Sequence, residues 1–314
     1  MPQKVKLYTL KLDAVQAAKL AAILEKGNYV RTNVPYTTIA VKGEDVNVNL
    51  YTSGKVVVQG EGTEEFVQFV LEPQVTGEAR LGYEDVLDPK ASAPHIGVDE
   101  SGKGDYFGPL VIAAAYTDEN LTVRMREIGA KDCKVLSDKQ VFAIGASLRS
   151  LLGPNRYTIV SIGPEKYNQI YEKNRNGNRI LAWGHARTIE NLLERIPSCP
   201  RAVADQFGNE RLIQGALMEK GRKIVLEQHH KAESDIAVAA ASIIAREHFL
   251  RALEALGKEF GVTLPKGAAH STTIPAAKAI VAAHGADALR RVAKINFRTT
   301  DIALGRTPPQ PNLV

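Results

Sequence analysis

The sequence predicts an α/β protein in which a small N-terminal α+β unit precedes a larger unit with a mixed sheet flanked by helices. Two observations support this fold class. Residues 1–60 combine one amphipathic helical pattern with several short alternating strand patterns. From residue 95 onward, strand-like and helix-like segments alternate, which is the order typical of α/β sheets. The chain has 314 residues, of which 44% are hydrophobic, and can therefore form two cores.

Composition and charge suggest where the units divide. We assign residues 1–76 to the N-terminal unit, 77–94 to a linker, 95–306 to the larger unit and 307–314 to a tail. The linker is rich in Gly, Pro and Ser, and the tail contains three prolines. Lys and Arg outnumber Asp and Glu in residues 1–60 and 91–314, whereas acids dominate 61–90. This pattern predicts two binding surfaces joined by a segment that avoids the ligand.

The overall properties exclude some classes of protein. The net charge is +5 and the pI is near 9.0, which favours polyanionic partners without establishing nucleic-acid binding. We find no apolar run of membrane-spanning length and no hydrophobic signal segment after Met1. Cys133 and Cys199 have neither metal-ligand nor redox spacing. We therefore expect a cytoplasmic protein.

In the N-terminal unit, Asp13 is predicted to cap a helix that Gly27 ends. Strands are predicted at 37–41, 46–51 and 55–58, and Thr63 could cap a second helix. On the sheet surface we expect a group of polar residues, which could contact a nucleic-acid backbone or simply face solvent: Lys42, Asn47, Asn49 and Lys55. This segment alone leaves both interpretations open.

In the larger unit, two strands are predicted around the sequence 97–110, and Ser137 is predicted to cap the next helix. A strand at 157–162, helices through 167–171 and 180–192, strands at 201–205 and 223–226, and a long helix at 236–256 follow. Acidic residues stand at strand ends and at the start of the last helix. Active-site groups collect at such positions in α/β sheets.

The segment 97–110 carries adjacent acids in Asp99 and Glu100, followed by Ser101, Gly102, Lys103 and Gly104. The glycines allow positive φ and close approach to a ligand, and the backbone N–H groups with Lys103 could bind an anion. Two hard oxygen ligands suit Mg²⁺ or Mn²⁺ better than Zn²⁺. An ordinary turn with solvated charges remains the alternative. Because side chains alternate along a strand, both acids share a site only if the strand ends at Glu100, and the glycines that follow favour such an end.

Two further acids are candidates. Asp205 ends a predicted strand, and Asp235 stands in the first turn of the long helix, where an acid often serves only to cap the helix. Spacing alone cannot join these residues to Asp99 and Glu100.

A family resemblance connects these segments. The sequence resembles the type 2 ribonucleases H, most closely bacterial ribonuclease HIII. The matching segments are 99–105, 108–109, 131–134, 181–186, 205–207, 231–235, 240–246 and 264–268. The N-terminal extension resembles the TATA-binding-protein-like substrate domain of ribonuclease HIII. One departure is Cys133, where the family commonly has Ser; a thiol keeps the size of the hydroxyl group but forms weaker hydrogen bonds, so we expect a weaker polar contact with substrate there.

The resemblance implies a ribonuclease H-like sheet in the larger unit and an endonuclease that hydrolyses the RNA strand of RNA/DNA hybrids. The products would carry 3′-hydroxyl and 5′-phosphate ends. Four carboxylates would hold two Mg²⁺ or Mn²⁺ ions, so no Ser, Cys or His nucleophile is needed. The implied catalytic and metal-binding residues are Asp99, Glu100, Asp205 and Asp235.

The implied substrate contacts are Ser101, Gly102, Lys103, Gly104 and Lys134. Backbone groups of 102–104 would read the 2′-hydroxyl, which distinguishes RNA from DNA. We expect no obligate protein partner and a monomer. Two alternatives remain: excision of single ribonucleotides embedded in DNA, as in ribonuclease HII, and a catalytically silent hybrid-binding protein.

The remaining chemistry-bearing residues have ordinary explanations. We expect Trp183 and His185 to fill a helix face or support the site. His229, His230 and His270 lack zinc-ligand spacing. Lys266 and Lys294 could contact phosphate or lie in solvent.

Overall fold

A computed structural model describes residues 5–77, 89–130, 133, 136–206, 211–229 and 232–307, and only the backbone of residues 89, 90 and 233. The chain divides into two units, Met1–Ala91 and Ser92–Val314. Each unit combines helices with a five-stranded sheet. The predicted α/β class, with a small N-terminal α+β unit, is confirmed.

The sheet of the N-terminal unit is antiparallel, with strand order β1-β5-β4-β3-β2. Its strands are β1 (Leu7–Lys11), β2 (Val30–Arg31), β3 (Thr37–Lys42), β4 (Asn47–Tyr51) and β5 (Lys55–Gln59). The helix Ala14–Lys26 begins after the Asp13 cap and ends at Gly27, as predicted. The second helix, Thr63–Phe66, continues as the π-helix Val67–Thr76; Gly62 precedes it, so Thr63 is its first residue and not its cap.

Alternation in β4 and β5 buries one face of this sheet under the helices. Val48, Leu50, Val56 and Val58 pack with Leu20 in one apolar cluster. The polar residues expected on the sheet surface occupy positions that alternate with this buried set. Lys42 and Lys55 are exposed, Asn47 is half-buried and Asn49 is buried.

The sheet of the larger unit has the order β10-β9-β6-β7-β8. Strands β6, β7 and β8 pair antiparallel, whereas β9 and β10 run parallel to β6. The carboxyl ends of β6, β9 and β10 therefore meet at one edge, where α/β sheets place their ligands. The strands are β6 (His95–Ser101), β7 (Leu110–Thr117), β8 (Tyr157–Ile162), β9 (Arg201–Asp205) and β10 (Val225–His229).

Helices surround this sheet. The longest, Ile236–Phe260, is here called the central helix. The others are Glu119–Ile128, Asp138–Leu152, Pro164–Asn174, Gly177–Leu193, Arg211–Ala216, His270–His284, Leu289–Val292 and Arg298–Ala303, with short 3₁₀ turns at Gly221–Lys223, Ala232–Ser234 and Ala286–Ala288. A further short helix, Pro89–Ser92, precedes β6 at the boundary between the two units. Among the described residues, none of these helices has the length and apolar character that crossing a bilayer requires.

The structure corrects some predicted bounds. The strand predicted at 223–226 lies at Val225–His229, because Gly221–Lys223 forms a 3₁₀ turn. The predicted helix at 236–256 extends to Phe260, and Ser137 caps the helix Asp138–Leu152 as predicted. Strands β1 and β2 and the helix His270–His284 were not predicted. Most of the predicted linker, 78–88, and the end of the tail, 308–314, lie outside the described residues.

Strand β6 lies between two layers of helices. Ile96 and Val98 pack into the core that contains Ile180 and Leu181 of the helix Gly177–Leu193. On the opposite face, Gly97 meets the first turn of the central helix. A Cβ at Gly97 would lie 2.1 Å from the carbonyl carbon of Ala237 and 2.1 Å from the amide nitrogen of Val238. Only glycine allows the helix backbone to approach the strand this closely.

We expect Gly97→Ala to lower the free energy of unfolding by on the order of 2 kcal/mol or more, because the added methyl group displaces the central helix from β6. Chemical denaturation followed by circular dichroism measures this loss. Gly163→Ala is the matched control, since a Cβ there meets no atom within 4 Å. An equal effect of the two substitutions would contradict the packing argument.

Candidate active site

Strand pairing brings Asp99 and Asp205 next to each other. Val98 pairs with Ala204 in the parallel β6–β9 register, and each acid is the next residue on its strand. Neighbouring strands lie about 4.8 Å apart, so the two backbones are adjacent at the sheet edge. The amide of Ala232 donates to Asp205 Oδ1 at 3.4 Å, which brings the turn Ala232–Ser234 to the same edge.

Asp99 and Glu100 face opposite layers. The prediction that the strand ends at Glu100 is wrong, because β6 pairs with β7 as far as Ser101. Asp99 is hydrogen-bonded to Ser242 of the central helix, whereas Glu100 Oε2 lies 3.1 Å from His185 Nε2 on the helix Gly177–Leu193. The two side chains therefore leave β6 on opposite sides, and each is held by a different helix. Their charges still interact at the end of the strand.

Burial and the neighbouring charge of Glu100 raise the pKa of Asp99 to about 7. Hydrogen bonds from Ser242 and from the Glu100 amide, which donates to Asp99 Oδ1 at 2.8 Å, oppose this rise. Ser242 Oγ also lies 2.9 Å from Cys133 Sγ. Cys133 thus contacts the residue that supports Asp99.

Glu100 has the opposite behaviour. Burial alone would raise the pKa of its carboxyl group, but the hydrogen bond and charge of His185, with the charge of Lys103, hold this pKa below its usual value. Lys103 Nζ lies 3.6 Å from Glu100 Oε1. Adjacent acids on one strand therefore differ in their tendency to ionise.

Asp235 has partners other than Asp99, Glu100 and Asp205. Its Oδ1 accepts hydrogen bonds from the amides of Ala237 and Val238 and so caps the central helix. Its Oδ2 lies 2.9 Å from Nε2 of His95, which is fully buried. His95 precedes Asp99 by four residues on β6, a span of about 13 Å in an extended strand. These contacts are those of a structural cap, the alternative that the sequence had left open.

Burial alone would raise the pKa of Asp235, but the hydrogen bond and charge of His95, with the two helix amides, hold it below its usual value. The carboxylate is thus stabilised by groups of the protein itself.

The segment 101–104 comprises the last residue of β6 and the first part of the turn that leads to β7 at Leu110. Gly102 has a φ of +88°, and a Cβ there would lie 2.1 Å from the carbonyl oxygen of Pro109. Gly104 does not have a positive φ, and its Cβ position is open. The turn therefore requires glycine at 102, while the space beside Gly104 is free for a ligand. Lys134 lies outside the described residues.

Lys294 is fully buried below this turn, so both positions expected for it, on phosphate or in solvent, are wrong. Its Nζ donates to the carbonyl of Gly108 at 2.7 Å. Burial lowers the pKa of Lys294 to about 7, although the charge of Asp105 opposes this. Lys266 instead pairs with Asp138 at 2.5 Å. Lys294 holds the β6–β7 turn from inside the protein.

The two aromatic candidates on the helix Gly177–Leu193 differ. His185 is buried against Glu100, as expected for a residue that supports the site. Trp183 was expected in the core, but 44% of its surface is exposed. Sequence reasoning missed His95 and assigned no role to Ser242, although a lone polar residue within the apolar run 236–245 was a usable signal.

The residues at this edge fit a hard divalent cation by their chemistry. Asp99, Glu100 and Asp205 supply only carboxylate oxygens. The raised pKa of Asp99 reflects its burial and, second, the negative charge of Glu100, which a cation would neutralise. In the described parts of the chain, however, no three His, Cys, Asp or Glu side chains are close enough to hold an ion in their present positions. The Glu233 side chain lies outside that description.

The chain is similar to several known proteins. The family described as Ribonuclease HII matches residues 96–300, and a domain of unknown function matches residues 9–79. A ribonuclease HIII of Protochlamydia amoebophila is 40% identical over 95% of this chain and 97% of its own length. The crystal structure of Bst-RNase HIII with Mn²⁺ superposes with a TM-score of 0.66 at 30% identity, covering 95% of this chain and 98% of that one. The ribonuclease H2 of Pyrococcus horikoshii covers 67% of this chain and 96% of its own, with a TM-score of 0.54 at 26% identity.

We expect the metal-free protein to lose stability as the pH rises from about 4 to about 7. The pKa of Asp99 is raised in the folded state, so folding favours its protonated form, and this contribution is lost as the pH passes through the folded pKa. Asp99→Asn should remove this loss of stability, which is on the order of 4 kcal/mol when the pKa rises from 3.8 to about 7. Urea denaturation at several pH values, in the presence of EDTA, measures it. Identical pH profiles for the wild type and Asp99→Asn would contradict the assigned pKa.

Proposed function

Because the chain belongs to the ribonuclease HIII group of the type 2 ribonuclease H family, we propose that it hydrolyses the RNA strand of RNA/DNA hybrids by a two-metal-ion mechanism. The products would carry 3′-hydroxyl and 5′-phosphate ends. The observation that carries this proposal is the pairing of β6 with β9, which sets Asp99 and Asp205 side by side at the sheet edge. Glu100 follows Asp99 directly.

We propose that Asp99, Glu100 and Asp205 hold two Mg²⁺ or Mn²⁺ ions. When bound, such ions lower the pKa of the attacking water and stabilise charge on the leaving 3′ oxygen. The protein supplies carboxylates whose ionisation it controls. His185 keeps Glu100 charged, and Asp99 can release its proton near neutral pH. Metal binding would therefore strengthen as the pH rises through about 7.

The fourth carboxylate would come from the segment 232–235, since Ala232 contacts Asp205. Asp235 was predicted for this role, but both of its oxygens have protein partners. Glu233 is the other acid of the segment and belongs to the 3₁₀ turn Ala232–Ser234. We propose that this turn, and not the cap of the central helix, supplies the ligand.

The segment 101–104, with Lys134, would bind the substrate beside the acids. Backbone groups of Gly102, Lys103 and Gly104 would contact the 2′-hydroxyl, and the Lys103 side chain would contact a phosphate. Lys103 is half-exposed and near Glu100, which supports this role. The hydroxyl contact would make a deoxyribose at the scissile position a poor substrate.

The N-terminal unit, residues 1–76, would grip the hybrid backbone through its sheet, joined by the linker 77–94 to the catalytic unit 95–306. The exposed Lys42 and Lys55 support electrostatic binding that weakens with salt and carries no sequence information. All proposed ligands lie on one chain, so a monomer suffices. The free thiols of Cys133 and Cys199 support a reducing, cytoplasmic location.

We expect cleavage of a uniform RNA/DNA hybrid in Mg²⁺ or Mn²⁺, no cleavage of a DNA duplex, and poor cleavage of a duplex with one embedded ribonucleotide. Asp99→Asn should lower the rate by about 100-fold or more, because it removes a charged ligand. Gel assays with labelled strands measure all three rates. Preferred cutting at the single ribonucleotide would assign the activity of ribonuclease HII, and metal-independent binding without cleavage would indicate a silent hybrid-binding protein.

We expect Glu233→Gln to lower the cleavage rate by about 100-fold, but Asp235→Asn by less than tenfold. Asn still caps a helix well, so the central helix should remain folded in the second variant. Cleavage assays at saturating Mn²⁺, with unfolding curves for both variants, measure the difference. The reverse order of severity would return Asp235 to the metal site.

A further inference from the structure

One face of the helix Gly177–Leu193 exposes Arg179, Trp183 and Arg187, here called the Arg–Trp–Arg stripe. Residues four apart on a helix are neighbours, so the three side chains form a line about 12 Å long. Trp183 is the only tryptophan of the chain. Trp183 leaves 44% of its surface exposed, between the two arginines.

The charge around the stripe is positive. Residues 173–189 contain Lys173, Arg175, Arg179 and Arg187 and no Asp or Glu. In the described parts of the chain, Lys166, Arg179 and Arg187 form no ion pair with a carboxylate; Arg187 donates only to the sulfur of Met218, at 3.7 Å. These cations remain available for an external anion.

A cavity of about 450 Å³ lies beside Trp183, within the size range of ligand pockets. It is formed between the helix Pro164–Asn174 and the stripe, and it is lined by Lys166, Ile170, Asn174, Arg179, Ile180 and Trp183. An apolar floor with two cations at its rim suits a planar ring attached to a phosphate. A nucleotide has this chemistry.

The helix that carries the stripe also borders the proposed active site. Gly177 and Asn178, at the start of the same helix, line a second cavity together with Lys103. On the buried side of the helix, His185 holds Glu100. One helix thus carries residues of the stripe and residues beside the proposed site.

The indole ring distinguishes between duplex and single strand. Bases within a duplex are stacked on each other and cannot cover a protein ring, whereas an unpaired base stacks on an aromatic side chain and its phosphates pair with cations. An acidic protein segment would satisfy the arginines but leave the ring uncovered. The combination favours single-stranded nucleic acid.

We propose that the Arg–Trp–Arg stripe binds an unpaired strand that extends from the hybrid, with a base stacked on Trp183. This proposal rests on the proposed function for its substrate. The enzyme would then prefer hybrids that adjoin single-stranded nucleic acid over isolated blunt hybrids.

The test uses the full chain carrying Asp99→Asn, which binds substrate without consuming it. Labelled blunt hybrid and the same hybrid with an unpaired extension on either strand are titrated by fluorescence anisotropy. We expect at least one extended hybrid to bind about tenfold more tightly than the blunt one, a difference typical of one stacked base. Emission from Trp183, selectively excited, should change only with the extended hybrid.

Matched variants separate stacking from charge. Trp183→Phe should keep most of the tenfold preference because it retains a ring, whereas Trp183→Leu should lose it while leaving blunt-hybrid binding unchanged. Arg179→Gln should reduce the preference and its salt dependence. Unfolding curves confirm that each variant is folded.

Equal affinity for blunt and extended hybrids would overturn the proposal, as would an equal change in Trp183 emission with heparin, which marks a general anion surface. The proposed function is judged separately, by cleavage of the blunt hybrid by the wild type. If the wild type cleaves the blunt hybrid but the extension does not raise affinity, only the proposal for the stripe is overturned. If the extension raises affinity but no hybrid is cleaved, only the nuclease assignment is overturned.

Discussion

The contact between Gly97 and the first turn of the central helix determines the geometry of the site. With no side chain at this position, the helix backbone lies directly on β6. Farther along the two elements, Ser242 then reaches Asp99, and at their start Asp235 reaches His95. A helix set farther from the strand would lose both contacts. The sheet, by contrast, positions Asp205 independently of this helix, through the pairing of β6 with β9.

The two layers of helices give adjacent acids different properties. Asp99 faces the central helix, where its support is a neutral hydroxyl, and its pKa is raised by burial and by Glu100. Glu100 faces the other layer, where His185 and Lys103 stabilise its charge. One strand end thus presents a carboxylate whose pKa is lowered and another whose pKa is raised to about 7. Such a pair suits a divalent metal ion that must bind and also dissociate.

Much of the fold follows from local sequence signals, because helix caps such as Asp13 and Ser137 and the strand 157–162 depend only on neighbouring residues. The site was harder to predict. Alternation along β6 correctly indicated that Asp99 and Glu100 point to opposite faces within a continuous strand. The glycines suggested an early strand end, but the strand continues to Ser101 before the turn begins. The role of Asp235 depends on His95, 140 residues away, which no local pattern reveals. Trp183 follows the helical apolar spacing, yet that spacing alone does not distinguish a buried position from the exposed one that Trp183 occupies.

The buried Lys294 has a consequence for when the catalytic unit can fold during synthesis. Its ammonium group meets the carbonyl of Gly108 across 186 residues, and Gly108 donates in turn to the carbonyl of Val292. The turn that follows the first two acids is therefore completed by residues far along the chain, Val292 and Lys294. During synthesis β6 and β7 emerge long before these residues, so the catalytic unit can take its final structure only after residue 294 has been added. A nascent or truncated chain would present the acids without the floor that holds them.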